Sequence, residues 1–357
     1  MSRVLLACGG TGGHLAPGIA LAQRLRSRGS EPLLLVSRKV VDARMLARYP
    51  ELRFRAGRGR GFGPGWIDRL LFAPSMVIAF LDACWVVARF RPDAIACFGG
   101  FMSVGPALAC WLVGVPVHLH EANLRAGKAI RALAPLATTI HAPPSAGLSG
   151  PRVRPGGFPL RAEMRAVDRA AARQALGFPA DGRLLLVVGG SQGAAALNRW
   201  AEGFAPELAS RDCHVLCLTG PGGVDRTDSH GARIARYLPF CDRMAEAYSA
   251  ADLAISRAGA GTLAELAACG TPAVLVPYPR AADDHQTANA RAREAAGCAV
   301  LVRESELDAL RALTLRLLSD TEGLARMRAA LVQAHRLNRW EELVDAIDGV
   351  SAKEVSA

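Results

Sequence analysis

Short runs of apolar residues alternate along this chain with longer segments of mixed polarity. Runs of this length are typical of parallel strands buried on both faces, and the intervening segments are long enough for helices. The predicted strands cover residues 4–8, 32–37, 93–98, 115–120, 184–188, 214–218, 252–255, 273–276 and 299–302. The clearest predicted helices cover residues 17–28, 41–49, 105–113 and 322–347. This alternation predicts an α/β protein with doubly wound parallel sheets, whose ligands bind beyond the carboxyl ends of the strands.

Two glycine-rich turns, each directly after a predicted strand, mark the first candidate binding sites. Gly9–His14 has the sequence GGTGGH, and Gly189–Gly193 has the sequence GGSQG. Glycine lets the backbone approach a ligand, and the N–H groups at the start of the following helix favour an anion such as phosphate. Because each turn opens its own series of strands and helices, we expect two Rossmann-like domains facing an interdomain cleft. Neither turn has the pattern of a P-loop.

The Pro- and Gly-rich stretch from Pro143 to Pro159 is the expected linker. We therefore expect a first domain over residues 1–158 and a second over residues 159–335. A final segment, residues 336–357, is expected to pack back on the first domain.

A third glycine-containing turn, Ser256–Glu265, is the most informative candidate site in the second half. It leads into a helix, where backbone N–H groups bind phosphate and the Glu265 carboxylate can accept both hydroxyls of a ribose. Thr262 and Glu265 also have the spacing of a capping box, so a purely structural role remains open. Residues 285–289 (HQTAN) follow another strand and carry donors suited to sugar hydroxyls.

His14, at the end of the first glycine turn, is the candidate general base because imidazole titrates in the useful range. A helix-capping or packing histidine is the alternative. His118, His120 and Glu121 do not favour a metal site, since Glu121 points away from the two histidines on a strand. The chain has no Asp-x-Asp sequence, so the prediction is a metal-free site without a cofactor.

The positive charge is concentrated in the first part of the chain. Residues 1–150 contain 18 Lys and Arg against 7 Asp and Glu, whereas residues 151–357 contain 25 of each. Such a field favours an anionic partner, although a GC-rich genome, which encodes Arg freely, explains the composition equally well. The nine scattered cysteines are typical of buried, reduced thiols in a cytoplasmic protein.

An apolar, aromatic segment from Leu70 to Phe90, preceded by Trp66 and Ile67, is bordered by arginines within the range 53–91. This composition is typical of a surface that lies on an anionic bilayer, and a core helix is the alternative. Pro74 and Asp82 interrupt the segment, so we do not expect it to span a membrane.

Taken together, these motifs resemble the MurG family of N-acetylglucosaminyltransferases, from end to end and in the family's order. The matching segments are Gly9–His14, Gly99–Phe101, His120–Asn123, Pro159–Arg161, Gly189–Gly193, Phe240–Met244, Ser256–Glu265 and His285–Asn289. The resemblance implies a GT-B fold and inverting, metal-independent transfer of GlcNAc from UDP-GlcNAc to the 4-hydroxyl of membrane-bound lipid I.

The resemblance also implies roles for individual residues. His14 is the candidate base, Glu265 takes the ribose hydroxyls, and the backbone at Cys241 contacts uracil. Asn123 and Gln286 hold the GlcNAc, and Arg161 and Ser191 lie near the diphosphate. The remaining implied contacts are Thr11, Gly12 and Gly13 at the acceptor diphosphate or donor sugar, and Ala260, Gly261, Thr262, Leu263 and Ala264 around the nucleotide.

The implied location is peripheral, on the cytoplasmic face of the cell membrane. Residues 53–91 match the family's membrane-contacting region, the cell-wall synthesis machinery is a candidate partner, and nucleic acid is not expected. The family usually has Gln where this chain has Ala122, so acceptor contacts are less secure than donor contacts. Open alternatives are a related transferase with another lipid or secondary-metabolite acceptor, a UDP-GlcNAc epimerase, and a non-catalytic membrane scaffold.

Overall fold

The computed structural model describes residues 1–9, 12–58 and 66–354, and it divides into two compact units. Unit 1 comprises Met1–Ala162 and Asn338–Ala357, and unit 2 comprises Glu163–Leu337. Each unit is built on its own sheet of seven strands within the described ranges.

The sheet of unit 1 is parallel throughout, in the order β3-β2-β1-β4-β5-β6-β7. Its strands are β1 Arg3–Ala7, β2 Glu31–Val36, β3 Arg53–Ala56, β4 Ala94–Cys97, β5 Val117–His120, β6 Thr139–Ala142 and β7 Val153–Pro155. The helices of this unit are α1 Gly12–Ser27, α2 Val40–Leu46, α3 Trp66–Phe90, α4 Val104–Leu112, α5 Lys128–Leu133 and, at the other end of the chain, α13 Glu341–Glu354.

Alternating side chains of the unit 1 strands enter two separate hydrophobic cores. Val4 and Leu6 pack with α1 and α2 on one face, and Leu5 and Ala7 pack with α3, α4 and α5 on the other. Helix α13 belongs to the first of these cores through Leu343, Val344 and Ile347, each at most 1% exposed. The last helix of the chain therefore completes the unit that the first strand begins.

The sheet of unit 2 has the order β10-β11-β9-β8-β12-β13-β14 and is parallel except for the pair β10 and β11. Its strands are β8 Arg183–Val188, β9 Cys213–Leu218, β10 Arg226–His230, β11 Arg233–Leu238, β12 Leu253–Ser256, β13 Ala273–Leu275 and β14 Ala299–Leu301. Its helices are α6 Arg169–Ala175, α7 Ala195–Ser210, α8 Met244–Ala250, α9 Ala260–Cys269, α10 His285–Ala295, α11 Leu307–Ser319 and α12 Thr321–Arg336.

The predicted α/β alternation is confirmed, but three local predictions are wrong. The stretch 143–159 contains β7 and so belongs partly to the sheet of unit 1. The helix predicted over residues 322–347 is two helices, α12 and α13. Between them, Asn338 bonds through its side-chain amide to the backbone N–H and carbonyl of Phe158, at 2.7 and 2.9 Å. Helix α1 begins at Gly12 rather than at residue 17, so Pro17 lies inside it.

Candidate functional site

The polar motifs gather where the strand order of each sheet reverses direction. In unit 1 the reversal lies between β1 and β4, and in unit 2 it lies between β8 and β12. Helices on the two sides of such a point diverge and leave a crevice beyond the carboxyl ends of the strands. Gly9–His14 follows β1 and Gly99–Gly100 follows β4, while Gly189–Gly193 and Ser256–Glu265 follow β8 and β12. The connectivity of each sheet therefore places its motifs at one location.

His14 lies in the first turn of α1, and its ring faces the turn after β4. A Cβ built on Gly100 lies 3.1 Å from His14 Cε1, and Gly100 has φ 72°. Both the space and the backbone conformation thus favour glycine beside the imidazole. Burial lowers the pKa of His14, opposed by the carboxylates of Glu121 and Asp42. The imidazole is therefore neutral at neutral pH and competent to accept a proton.

The other predicted residues of the first glycine turn are described only in part. Thr11 lies outside the described residues. Gly12 begins helix α1, and Gly13 in its first turn is exposed to solvent.

Glu121, directly after β5, shapes the loop that carries Asn123. Its Oε1 accepts hydrogen bonds from the backbone N–H and the side-chain amide of Asn123, at 2.9 and 3.0 Å. Its Oε2 accepts from the backbone N–H of Gly127 at 2.8 Å, and the side chain is buried. Glu121 therefore orients Asn123, and no sequence motif indicates this role because the bonds depend on how the loop folds.

Arg161 lies within unit 1, where the residue is 8% exposed and its guanidinium donates to the hydroxyl of Tyr49 at 3.3 Å. Its assignment to the diphosphate stays a prediction. Tyr49 follows α2 and lies 112 residues away in the sequence, so this pairing had no local signal.

In unit 2 the second glycine turn is closed by a hydrogen bond from Gly193 N–H to the Gly190 carbonyl at 3.0 Å. Ser191 lies at its half-buried centre, before α7 begins at Ala195. Cys241 is buried in the loop between β11 and α8, which suits a contact made by backbone rather than side-chain atoms.

The turn after β12 leads directly into α9, and the capping-box alternative is wrong. The helix begins at Ala260 with Gly259 in the capping position, so Thr262 and Glu265 are its third and sixth residues. Leu263 and Ala264 face the core and can offer a ligand only backbone atoms. Ala260, Gly261 and Thr262 are half-buried in the first turn, where unpaired backbone N–H groups favour an anion.

Glu265 is half-buried in the second turn of α9. Its Oε2 accepts a hydrogen bond from the Tyr248 hydroxyl at 3.1 Å. Tyr248, fully buried on α8, thereby fixes the rotamer of a carboxylate predicted to bind ribose. The sequence contains no sign of this contact, since the two residues meet only through the packing of α8 on α9.

Gln286 and Asn289, both on α10, hold the same turn from its other side. Gln286 Oε1 accepts from the backbone N–H groups of Ala258 and Tyr278, at 3.2 and 2.9 Å. Asn289 donates its side-chain amide to the Ala258 carbonyl at 3.1 Å. The HQTAN motif predicted for sugar binding thus also fixes the turn that precedes α9.

Helix α3 presents an apolar face to solvent. Val77, Ile78, Leu81 and Trp85 are between 52 and 60% exposed, and helical spacing places them on one side. Arg55 pairs with Asp82 through both guanidinium nitrogens, at 2.7 and 3.1 Å, and lies 4.8 Å from the Trp85 ring centre. The side chains of residues 66–73 lie outside the described set. No described helix combines the length and apolarity needed to cross a bilayer.

Comparisons with known proteins identify the family to which the two domains belong. Residues 4–142 match the glycosyltransferase family 28 N-terminal domain, and residues 184–343 match the family 28 C-terminal domain. The chain is 45% identical over 98% of its length, and 95% of the relative's, to the UDP-N-acetylglucosamine–N-acetylmuramyl-(pentapeptide) pyrophosphoryl-undecaprenol N-acetylglucosamine transferase of Opitutus terrae. It is 38% identical to the Salinibacter ruber protein of the same name, over 92% of this chain and 91% of that one.

Solved structures agree as well. The crystal structure of Acinetobacter baumannii MurG superposes with a TM-score of 0.72 and 27% identity, covering 99% of this chain and all of that one. The fold and the two domain matches define a glycosyltransferase of the GT-B kind. Within that class, the chain belongs to the MurG family of glycosyltransferase family 28.

Proposed function

We propose that this protein transfers GlcNAc from UDP-GlcNAc to the 4-hydroxyl of lipid I, undecaprenyl-diphospho-MurNAc-pentapeptide, to give lipid II. The observation that carries the proposal is 45% identity over nearly the whole chain to a transferase named for this reaction. The motifs at both sheet reversals support it, because they supply a candidate base in unit 1 and a candidate nucleotide-sugar site in unit 2.

The donor occupies the turns after β8 and β12 in this proposal. The first turn of α9 and the Ser191 turn hold the diphosphate, where helix N-termini offset the charge that develops on the leaving group. Glu265 accepts the ribose hydroxyls, and its orientation by Tyr248 removes much of the rotamer entropy that binding would otherwise cost. The backbone at Cys241 contacts the uracil.

His14 acts as the general base in the proposed reaction. The acceptor 4-oxygen forms a bond to the anomeric carbon while the bond from that carbon to the UDP oxygen breaks. His14 takes the hydroxyl proton, and UDP leaves with the bonding electron pair, so the configuration inverts. A neutral imidazole suits this step, and the nearby carboxylates of Glu121 and Asp42 favour the imidazolium that it forms.

The acceptor is a membrane lipid, and the apolar face of α3 is the proposed docking surface. Aromatic and aliphatic side chains beside arginines suit the interfacial region of an anionic bilayer, which supports this docking surface. In this proposal the protein is peripheral, on the cytoplasmic face of the membrane. Sedimentation with vesicles containing anionic lipid tests this. Leu81→Ser should reduce binding, whereas Val224→Ser, at a still more exposed valine of unit 2, should not. Binding that is insensitive to both Leu81→Ser and salt contradicts the assignment.

The decisive experiment is transfer of radiolabelled GlcNAc from UDP-GlcNAc to a short-chain lipid I analogue in the presence of EDTA. Product formation supports the donor, the acceptor and metal independence together. Binding of UDP-GlcNAc without product would redirect the search to another acceptor, and absence of binding would refute the proposal.

A secondary-metabolite acceptor has weaker support. The glycosyltransferase of kitacinnamycin has a TM-score of 0.73 but 16% identity, and that likeness extends to the fold alone. An epimerase is disfavoured because both halves of the chain match glycosyltransferase domain models.

A further inference from the structure

Arg257, the first residue after β12, is a buried cation that joins three neighbouring strand ends. It is 7% exposed, and its Nη1 donates to the carbonyls of Val276 and Pro277, at 3.1 and 3.2 Å, just beyond β13. Its Nη2 donates to the carboxylate of Glu304, and its guanidinium lies 5.5 Å from the ring centre of Tyr278.

Glu304 comes from a different part of unit 2. It begins the short 3-10 turn Glu304–Glu306 after β14, 47 residues beyond Arg257. Together, the ion pair and the two carbonyl hydrogen bonds of Arg257 link the segments that follow β12, β13 and β14 at the carboxyl edge of the sheet. A buried guanidinium needs both a counter-charge and satisfied N–H groups, and this arrangement supplies both.

These contacts of Arg257 influence which group of the Gln286 side-chain amide faces a ligand. Arg257 fixes the carbonyls on one side of Tyr278, and the N–H of Tyr278 and that of Ala258 both donate to Gln286 Oε1. With its oxygen engaged by two backbone donors, the Gln286 amide presents its NH₂ group and thus acts toward a sugar hydroxyl as a donor. The position of Tyr278 N–H is therefore one of the two constraints on the amide's orientation.

We propose that Glu304 is a positioning residue for the sugar of the nucleotide-sugar donor, acting through Arg257, Tyr278 and Gln286. This inference rests on the proposed function, because it assumes that Gln286 contacts the transferred sugar. Glu304 itself touches no ligand. Its carboxylate holds the Arg257 guanidinium against the carbonyls beside Tyr278, and this keeps the NH₂ group of Gln286 directed at the sugar. The nucleotide half of the site, at Glu265, is fixed separately by Tyr248.

The test compares the dissociation constants of UDP and UDP-GlcNAc by calorimetry for the wild-type protein, Glu304→Ala and Glu304→Gln. Loss of the charge-assisted bond should lower the affinity for UDP-GlcNAc about tenfold in Glu304→Ala. The loss should be smaller in Glu304→Gln, because glutamine keeps a hydrogen-bond acceptor. The affinity for UDP should change less than about twofold, because UDP lacks the sugar. In transfer assays the KM for UDP-GlcNAc should rise while that for the lipid acceptor stays constant.

Glu306→Gln is the matched control. Glu306 lies in the same 3-10 turn and accepts from the Arg303 backbone N–H, so Glu306→Gln removes a carboxylate charge from this turn, and keeps an acceptor, without touching Arg257. Arg257→Lys is the second variant. A single ammonium nitrogen cannot reproduce the two guanidinium positions, with Nη1 on the two carbonyls and Nη2 on the carboxylate, so this variant should reproduce the selective loss of UDP-GlcNAc affinity.

Equal weakening of UDP and UDP-GlcNAc, no weakening of either, or the same effect in Glu306→Gln would overturn the positioning role. Wild-type protein that binds UDP but not UDP-GlcNAc would instead refute the proposed function, and the positioning role with it.

Discussion

Three buried histidines make unit 1 sensitive to acid. His118 and His120 lie on β5, and His141 lies on β6 in register with His120, so the three side chains share one face of the sheet. His118 Nδ1 bonds to the Thr139 hydroxyl at 2.8 Å. Within the described part of the chain, neither ring nitrogen of His141 has a hydrogen-bond partner. A proton added to His118 or to His141 would therefore be poorly solvated.

The lowered pKa values of two of these histidines give the size of the stability loss at low pH. Burial lowers the pKa of His118 and that of His141 to about 4, with repulsion from neighbouring histidines adding to both shifts. The unfolded chain takes up these protons near its ordinary pKa of about 6.5. Since the folded pKa is the lower one, stability is full above pH 6.5 and is lost as the pH falls from 6.5 toward 4. At pH 5 the loss is about 2 kcal/mol for each residue, or about 4 kcal/mol for the pair.

Urea unfolding at pH 7.5 and at pH 5, followed by tryptophan fluorescence, measures this loss. His141→Gln removes one titrating group, so its free energy of unfolding should fall by about 2 kcal/mol less than that of the wild type between the two pH values. His335→Gln, at an exposed histidine on α12, is the control and should behave as the wild type does. If His141→Gln lost as much stability as the wild type, the assignment of acid sensitivity to His141 would be refuted.

Three further substitutions test other parts of the molecule. His14→Gln should lower the transfer rate by about 10²–10⁴-fold without changing UDP-GlcNAc affinity, and a full rate would remove His14 as the base. Asp252→Asn should destabilise unit 2 by about 3–5 kcal/mol in urea, because this buried carboxylate pairs with buried Arg173 at 2.8 Å, and an unchanged midpoint would contradict that. Gly157→Ala should cost about 1–3 kcal/mol, since its Cβ would lie 2.0 Å from Asn338 Oδ1, and thermal melting would detect the shift.

The fold was predictable where burial on both sides of a sheet leaves a continuous apolar run. Residues 4–8 and 184–188 are such runs, and both became central strands with a glycine turn at the carboxyl end. The edge strands of the sheets were not predictable from apolar runs. Strand β10 is largely exposed and polar, with the sequence RTDSH, and it pairs antiparallel to β11. Nothing in the apolar pattern distinguishes such a strand from a loop.

The residues of the candidate site also fall into predictable and unpredictable groups. Positions fixed by the local chain, such as the turns at Gly9 and Gly189 and the helix start at Ala260, follow from glycine placement and strand ends. Contacts that depend on packing between distant segments, such as Arg161 with Tyr49 and Arg257 with Glu304, had no local sequence pattern. Predicting them requires knowledge of which strand ends lie side by side, and that is decided by the whole sheet.

The polar residues predicted to bind substrate are also hydrogen-bonded to other groups of the protein. One oxygen of Glu265 is bonded to Tyr248, the oxygen of Gln286 is bonded to two backbone N–H groups, and Asn123 is bonded through its amide to Glu121. A side chain held in this way loses little rotamer entropy when a ligand arrives, so more of its interaction energy remains for recognition. It follows that substitutions at Tyr248 and Glu121, which need not touch substrate, should weaken binding through the residues they orient.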